Sequence, residues 1–220
     1  MPPRSFQRAR QPEQKRQRRQ EILAAAVTLL HEQGFDAVSL NAIARHVGLA
    51  KSNVYRYFES REEIFLHLLC DDWEGWEAEV ERKLAPLAGS NDTHAVARIV
   101  ATTCFARPRM CQLISVLSSV LEQNLSEQSV VEFKSALLGL ALRSANALHA
   151  AIPRLSVDKC GDFLRFMYAL IAGLWPSSNP SPVVARVMSR PEFTGLQHDF
   201  VTDLEHGLAV LLDGLVAGKA

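Results

Sequence analysis

The chain has 220 residues, 48% hydrophobic and 22% charged. That is room for one small module beside one larger core, and too apolar a composition for a disordered chain. Formal net charge is zero, yet the first 61 residues hold eleven Lys and Arg against five Asp and Glu, so the rest is acidic by the same margin. A basic head on an acidic body fits a nucleic-acid-binding end; a merely solvated basic tail accounts for the charge equally well. No uninterrupted apolar run reaches membrane-spanning length, and the polar start lacks a signal segment. A soluble, cytoplasmic protein is expected.

In chain order, residues 1–14 hold Pro2, Pro3 and Pro12 among Arg and Gln and are expected to be a disordered basic tail. A helix follows over about 15–33. In residues 39–65, Leu40, Ile43, Ala44 and Val47 recur at helical spacing behind Ser39, a suitable N-cap. Gly48 stands where a helix stops in a left-handed C-cap. A second short helix from Lys51 turns Val54 and Phe58 inward and leaves Lys51, Ser52, Tyr55 and Arg56 outward. An apolar back with a cationic, hydroxyl-rich front suits a DNA groove. Ser60 with Glu63 forms a capping box for a long helix ending near Leu84, before Pro86 and Gly89. Further helices are predicted from Asp92 to Ala106, from Pro108 to Gln123, from Asn124 (pairing with Glu127) to just before Pro153, and from Ser156 to Trp175. Pro176, Pro180 and Pro182 mark a break. A short helix near 183–189 and a last one over about 193–216 complete the chain. No strand-like alternation or internal repeat occurs.

Several motifs stand in one order over residues 15–66: Ile22-Leu23-Ala24-Ala25-Ala26, Gly34-Phe35, Val38-Ser39-Leu40, Gly48-Leu49, Val54-Tyr55-Arg56-Tyr57-Phe58 and Ser60-Arg61-Glu62-Glu63-Ile64. This stretch resembles the DNA-binding domain of the tetracycline-repressor (TetR) family of bacterial regulators. The resemblance implies an all-α fold: an N-terminal three-helix DNA-binding domain with a helix-turn-helix (15–66), and a larger C-terminal helical domain for effector binding and dimerisation (67–220). It implies that Lys51, Ser52 and Asn53 face base edges, that Tyr55 and Tyr57 contact phosphates, and that Arg56 reaches a guanine or a phosphate. Arg61 would contact a phosphate, and Asn41 a base or phosphate. Partial burial of Tyr57 beside Val54 is an equal alternative. Arg45 and His46 read as a solvated face. The basic tail through Arg19 either follows phosphates or enters the minor groove, or only solubilises the chain.

The body offers fewer signals. Trp76, Phe105, Met110, Phe133, Asn146 and His149 are candidates to line an effector cavity, although each such residue is more often plain core. Arg143, Asn146 and His149 form a polar strip on an apolar helix. Asp199, Asp203 and His206 have metal-compatible spacing but read best as a solvated face, so no metal site or cofactor is expected. Cys70, Cys104, Cys111 and Cys160 have no CxxC pairing and read as buried free thiols. No catalytic constellation stands out, so no enzyme is expected. The expected function is transcriptional regulation, most simply a ligand-responsive repressor. It would bind double-stranded operator DNA as a homodimer through helices at 156–175 and 196–216, with a hydrophobic or amphipathic effector. An architectural or cell-division DNA-binding protein without effector is an alternative, as is a helical ligand carrier.

Overall fold

The computed structural model describes residues 5–218, all helices and turns with no strand among them. The first four positions of the expected tail lie outside the described residues. From Ser5 the chain is already helical, correcting the expectation of disorder: α1 runs Ser5–Gln33 with Pro12 inside it. Gln, Arg, Ala and Glu are good helix formers, and here Pro12 alone opposes them.

α2 (Leu40–His46) and α3 (Lys51–Val54) make the helix-turn-helix, and α4 (Arg61–Leu84) leads into the body. Ile22, Ala26, Leu30, Val38, Ile43, Val54, Phe58 and Ile64 close a small core under the head. The body comprises α5 (Thr93–Phe105), α6 (Pro108–Val116), α7 (Glu127–Ala151), α8 (Val157–Ser178), α9 (Pro182–Met188) and α10 (Phe200–Val216). α4 packs on α5, α6 and α7, while α10 packs along α5 and α8. Trp76, on the body side of α4, is 1% exposed and donates its indole N–H to Thr103 Oγ1 at 3.1 Å. Arg109 forks onto both oxygens of Asp72 at 2.6 and 2.7 Å, tying α6 to α4.

Four boundaries depart from the pattern. The helix opened by Pro108 widens after Val116 into a π-turn over Leu117–Leu121, with Glu122 N–H reaching Leu117 O at 3.1 Å. Such i+5 turns often sit at functional sites. The next helix is capped by Ser126, whose Oγ accepts from Ser129 N–H, and not by Asn124. α8 runs through Pro176 to Ser178, because Ser177 Oγ bonds Gly173 O and Asn179 bonds Trp175 O, holding the last turn without the proline N–H. Finally, Pro191–Leu196 is a 3-10 turn, and the last helix starts behind Asp199.

Cys104, Cys111 and Cys160 are buried, Cys70 is half-buried, and all four are free. Burial pushes the Cys70 and Cys160 thiols up to about 11 and Cys111 to about 12. Such thiols are inert packing groups.

Candidate nucleic-acid interface

The turn between α2 and α3 is set by local chemistry. Ser39 Oγ accepts from Ala42 N–H at 3.2 Å and starts α2. Gly48 ends it at φ 68°, where a side chain would be strained. Leu49 N–H returns to Ala44 O at 2.9 Å and Gly48 N–H to Arg45 O at 3.2 Å, the paired bonds of a Schellman end. This stop reverses the chain so that α3 crosses α2 with its back to the core.

α3 is shorter than the expected Lys51–Phe58 helix. Regular bonding ends at Val54, after which Tyr57 N–H reaches Val54 O at 2.9 Å and tightens the turn. Its faces are nevertheless as expected. Val54 and Phe58 are buried; Lys51, Ser52, Asn53, Tyr55 and Arg56 are exposed. Tyr57 is half-buried, which realises the packed alternative in part. Lys51 Nζ lies over the Tyr55 ring at 5.6 Å.

Two open grooves flank α3. One, about 740 Å³, is walled by Lys15, Gln17, Arg18, Glu21, Arg56 and Tyr57. The other, about 430 Å³, is walled by Asn41, Ala44, Arg45, Leu49 and Lys51. Both carry cations on either side of the presented helix, as a phosphate-following surface should. Arg45 is exposed, as its sequence neighbourhood suggested, and lines the second groove. Its spacing of four from Asn41 was the available signal, since it puts both on one side of α2.

Two arginines of the head are tied into the fold. Arg61 was expected on a phosphate. Its Nη1 donates to Val38 O at 2.7 Å, its Nε donates to Glu62 Oε1 at 2.9 Å, and its guanidinium lies 5.2 Å from the Phe35 ring centre. Glu62 is buried, and Arg61 is the cation beside it. Arg19 is clamped likewise: Nη1 donates to Tyr57 O at 2.8 Å, Nη2 meets His67 Nε2, and the guanidinium lies 4.2 Å from the Phe58 ring centre. It fixes the end of the α3 turn to α1 and α4. Residues far apart in sequence supply these partners, so local pattern could not reveal them.

A further link joins head to body. Ser126 N–H, at the start of α7, donates to Glu59 Oε1 at 2.8 Å, immediately past the α3 turn. This bond holds the Glu59 carboxyl below its usual range. Glu63, capped by Ser60, bonds the Glu59 N–H at 2.5 Å, one residue beyond the expected capping box.

In the body, the six candidate cavity residues do not converge. Trp76 and Met110 are core, and Phe105 is 56% exposed beside Phe200. Phe133 borders a 140 Å³ crevice against α4. Asn146 lines a groove with Arg143 near the far end of α4, and His149 is tied to Leu155 O at 2.6 Å. Arg143 pairs with buried Glu77 at 3.3 Å. Asp199 caps α10, and Asp203 Oδ2 lies 2.9 Å from His198 Nδ1. A different cavity stands out. About 400 Å³ opens between α4, the π-turn, α7 and α8, with Trp73, Leu117, Leu137, Ala141 and Leu164 as its apolar walls. Ser118, Tyr168, Glu122, Lys134 and Arg165 provide its polar edge. The Trp73 N–H is buried without an acceptor.

Comparison with known proteins covers nearly the whole chain. The model for bacterial regulatory proteins of the tetR family matches residues 22–68, and that for the tetracyclin repressor-like C-terminal domain matches 70–219. The transcriptional repressor KstR of Mycolicibacterium smegmatis is 34% identical over 77 residues, 35% of this chain and 37% of KstR. The regulator Mb1846 of Mycobacterium bovis is 34% identical over 107 residues, 46% of each chain. The chain thus spans less than half the length of these curated relatives. Among solved structures, Thermus thermophilus FadR, a TetR-family repressor in complex with lauroyl-CoA, superposes with TM-score 0.61 at 17% identity, over 90% of this chain and 94% of that one. At that identity the likeness speaks for the fold alone.

Proposed function

This chain belongs to the tetracycline-repressor family of transcriptional regulators, and we propose that it is a ligand-responsive repressor binding a palindromic operator as a homodimer. The observation that carries the reading is the front of α3: Lys51, Ser52, Asn53, Tyr55 and Arg56 face solvent while Val54 and Phe58 seal the back. One such short element reads too few base pairs for specificity, so two are required. α8 and α10 supply a surface for pairing. Phe166 is 52% and Val210 59% exposed, with Ala169, Gly173 and Gly214 also open beside them. Two helices from each copy would form a four-helix bundle. The footprint on DNA is then near-palindromic, with half-sites roughly 34–36 Å apart or in register with that spacing. Genome-wide mapping of bound DNA with footprinting tests this, and a single non-palindromic half-site contradicts it.

The effector would lodge in the cavity of about 400 Å³, within the usual range for small-molecule sites. Its apolar walls suit a hydrophobic or amphipathic molecule. Lys134, paired with Glu122, and Arg165, paired with Asp162, stand at the edge where an anionic group would compete for them. Lys134→Ala with Arg165→Ala removes both edge cations. The pair should weaken binding of an anionic effector by roughly 10- to 100-fold, and leave operator affinity alone. Equal effector affinity in the variant places the ligand elsewhere.

α7 connects this cavity to the head. It carries Lys134, Leu137 and Ala141 at the cavity, and about two turns away its N-terminus holds Glu59 through Ser126. A ligand that shifts α7 therefore moves the α3 turn and the spacing of the two heads. Glu59→Ala should bind operator nearly as well as the parent but lose most of the release, typically 5- to 150-fold for such coupling. By reciprocity, operator should also cease to weaken effector binding in this variant. Since the Glu59 carboxyl is held low, the bond is complete above the ordinary glutamate range and is lost as pH falls through the lowered value. Release that is undiminished in Glu59→Ala rules out this route.

A second reading has its own support: 85 positions of this chain, 38% of it, are 29% identical to 40% of the nucleoid occlusion factor SlmA of Pasteurella multocida. Many scattered binding sites, with no ligand effect, would favour it.

A further inference from the structure

Residues 179–199, between α8 and α10, form an arm with no core beneath it. α9 packs chiefly on the 3-10 turn Pro191–Leu196 of the same arm, and Gln197 Nε2 donates to Met188 O at 2.7 Å to close it. No residue from Ser181 to Asp199 is buried. Val183, Val184 and Leu196 are 62%, 48% and 62% exposed. A helix of seven residues does not hold itself together in water, because nucleation costs more than so few bonds return. Ordered here, with an apolar face, it needs a surface to lie on. The arm is also stiffened for such a role. Pro182 opens α9 behind the Ser181 cap, and Pro180 and Pro191 bracket it, which lowers the entropy lost on docking.

The same chain offers a surface of matching chemistry. On α7, Val131, Leu138 and Leu142 are 53%, 73% and 57% exposed. Their spacing of seven and four puts them in one line along the helix. The chain's own arm leaves all three uncovered.

We propose that the arm of each protomer lies across the α7 stripe of a second copy. This rests on the dimer reading above. The arm leaves the end of α8 and returns at the start of α10, the two helices whose open face carries Phe166 and Val210. A copy seated on that face is therefore the nearest macromolecule to the arm. In a twofold pair every arm meets one stripe, so both unmatched patches are consumed and neither remains to recruit further copies.

The test uses the full chain. Two differently tagged versions are mixed, one with Val184→Cys and the other with Leu138→Cys, and mildly oxidised. All versions carry Cys70→Ser, because Cys70 is half-buried whereas Cys104, Cys111 and Cys160 are buried; a disulfide between the two tags is expected, and none in the Cys70→Ser parent. When both substitutions share one chain, a monomer closed on itself would overturn the proposal. In parallel, Val183→Glu with Val187→Glu should raise the dimer dissociation constant by roughly tenfold or more, with the helical signal and its melting unchanged. An unaltered dissociation constant and no cross-link defeat the arm contact while the dimer stands. A parent chain that sediments as a monomer at micromolar concentration defeats the dimer reading, and the arm contact with it.

Discussion

Replacing Lys51, Tyr55 and Arg56 together by alanine is expected to abolish operator recognition without unfolding the protein. All three side chains project from the exposed front of the α3 turn and make no bond to the core. At roughly 1–3 kcal/mol per lost base contact, and less for each phosphate contact, affinity should fall by about 100- to 10,000-fold. The salt dependence should flatten as well, by about one unit of slope for each phosphate contact removed. Exposed substitutions of this kind usually change stability by within about 0.5 kcal/mol, so the thermal midpoint should stay where it is. The single variants divide the effect. Tyr55→Ala should weaken binding to all sequences alike, whereas Lys51→Ala or Asn53→Ala should also relax base preference. Operator affinity equal to the parent's in the triple variant would remove the α3 turn from the recognition surface, and would leave the ligand-carrier reading in its place.

The head was legible because its signals are local. Ser39 and Ser60 cap, Gly48 must take positive φ, and Val54 and Phe58 are four apart, each a matter of a few residues in sequence. The body was legible as helices but not as a site. Its cavity is walled by Gly161, Ser118 and Ala141 as much as by aromatic rings, and small residues give no signal in a sequence. Trp76 looked like a ligand contact, yet its N–H is taken by Thr103, 27 positions away. Trp73, three residues earlier on the same helix, is the tryptophan whose N–H lacks an acceptor. Tertiary packing alone separates the two. The π-turn at Leu117–Leu121 was hidden for a similar reason: an apolar run reads the same whether its bonds step by four or by five. The continued helix at Pro176 shows the opposite limit, a strong local breaker overruled by side chains that cover the carbonyls around it.

Arg61 offers the sharpest test of how resemblance and packing divide a residue's role. If it contacts a phosphate, Arg61→Ala lowers affinity, flattens the salt slope by about one unit and leaves the fold unchanged. The geometry gives it other work. The guanidinium bridges Val38 O, at the end of the loop before α2, and Glu62 at the start of α4, over the face of Phe35. Removing it leaves the buried Glu62 carboxylate without its cation and Val38 O without its donor. Breaking a buried pair from one side costs about 3–5 kcal/mol. Arg61 keeps a quarter of its side-chain surface in water, so about 2–3 kcal/mol is the reasonable expectation after screening. For a chain of this size that is a fall in thermal midpoint of roughly 5–10 °C. Operator affinity should drop only as far as the head is unfolded, with the salt slope preserved. Arg61→Lys should recover little, since one ammonium cannot reproduce the two-directional fork. Arg61→Ala with Glu62→Gln should recover part of the stability, because no unpaired charge is left behind. That partial rescue cannot arise from a phosphate contact, for which the state of Glu62 is irrelevant, and its absence together with a flattened salt slope would return Arg61 to the DNA.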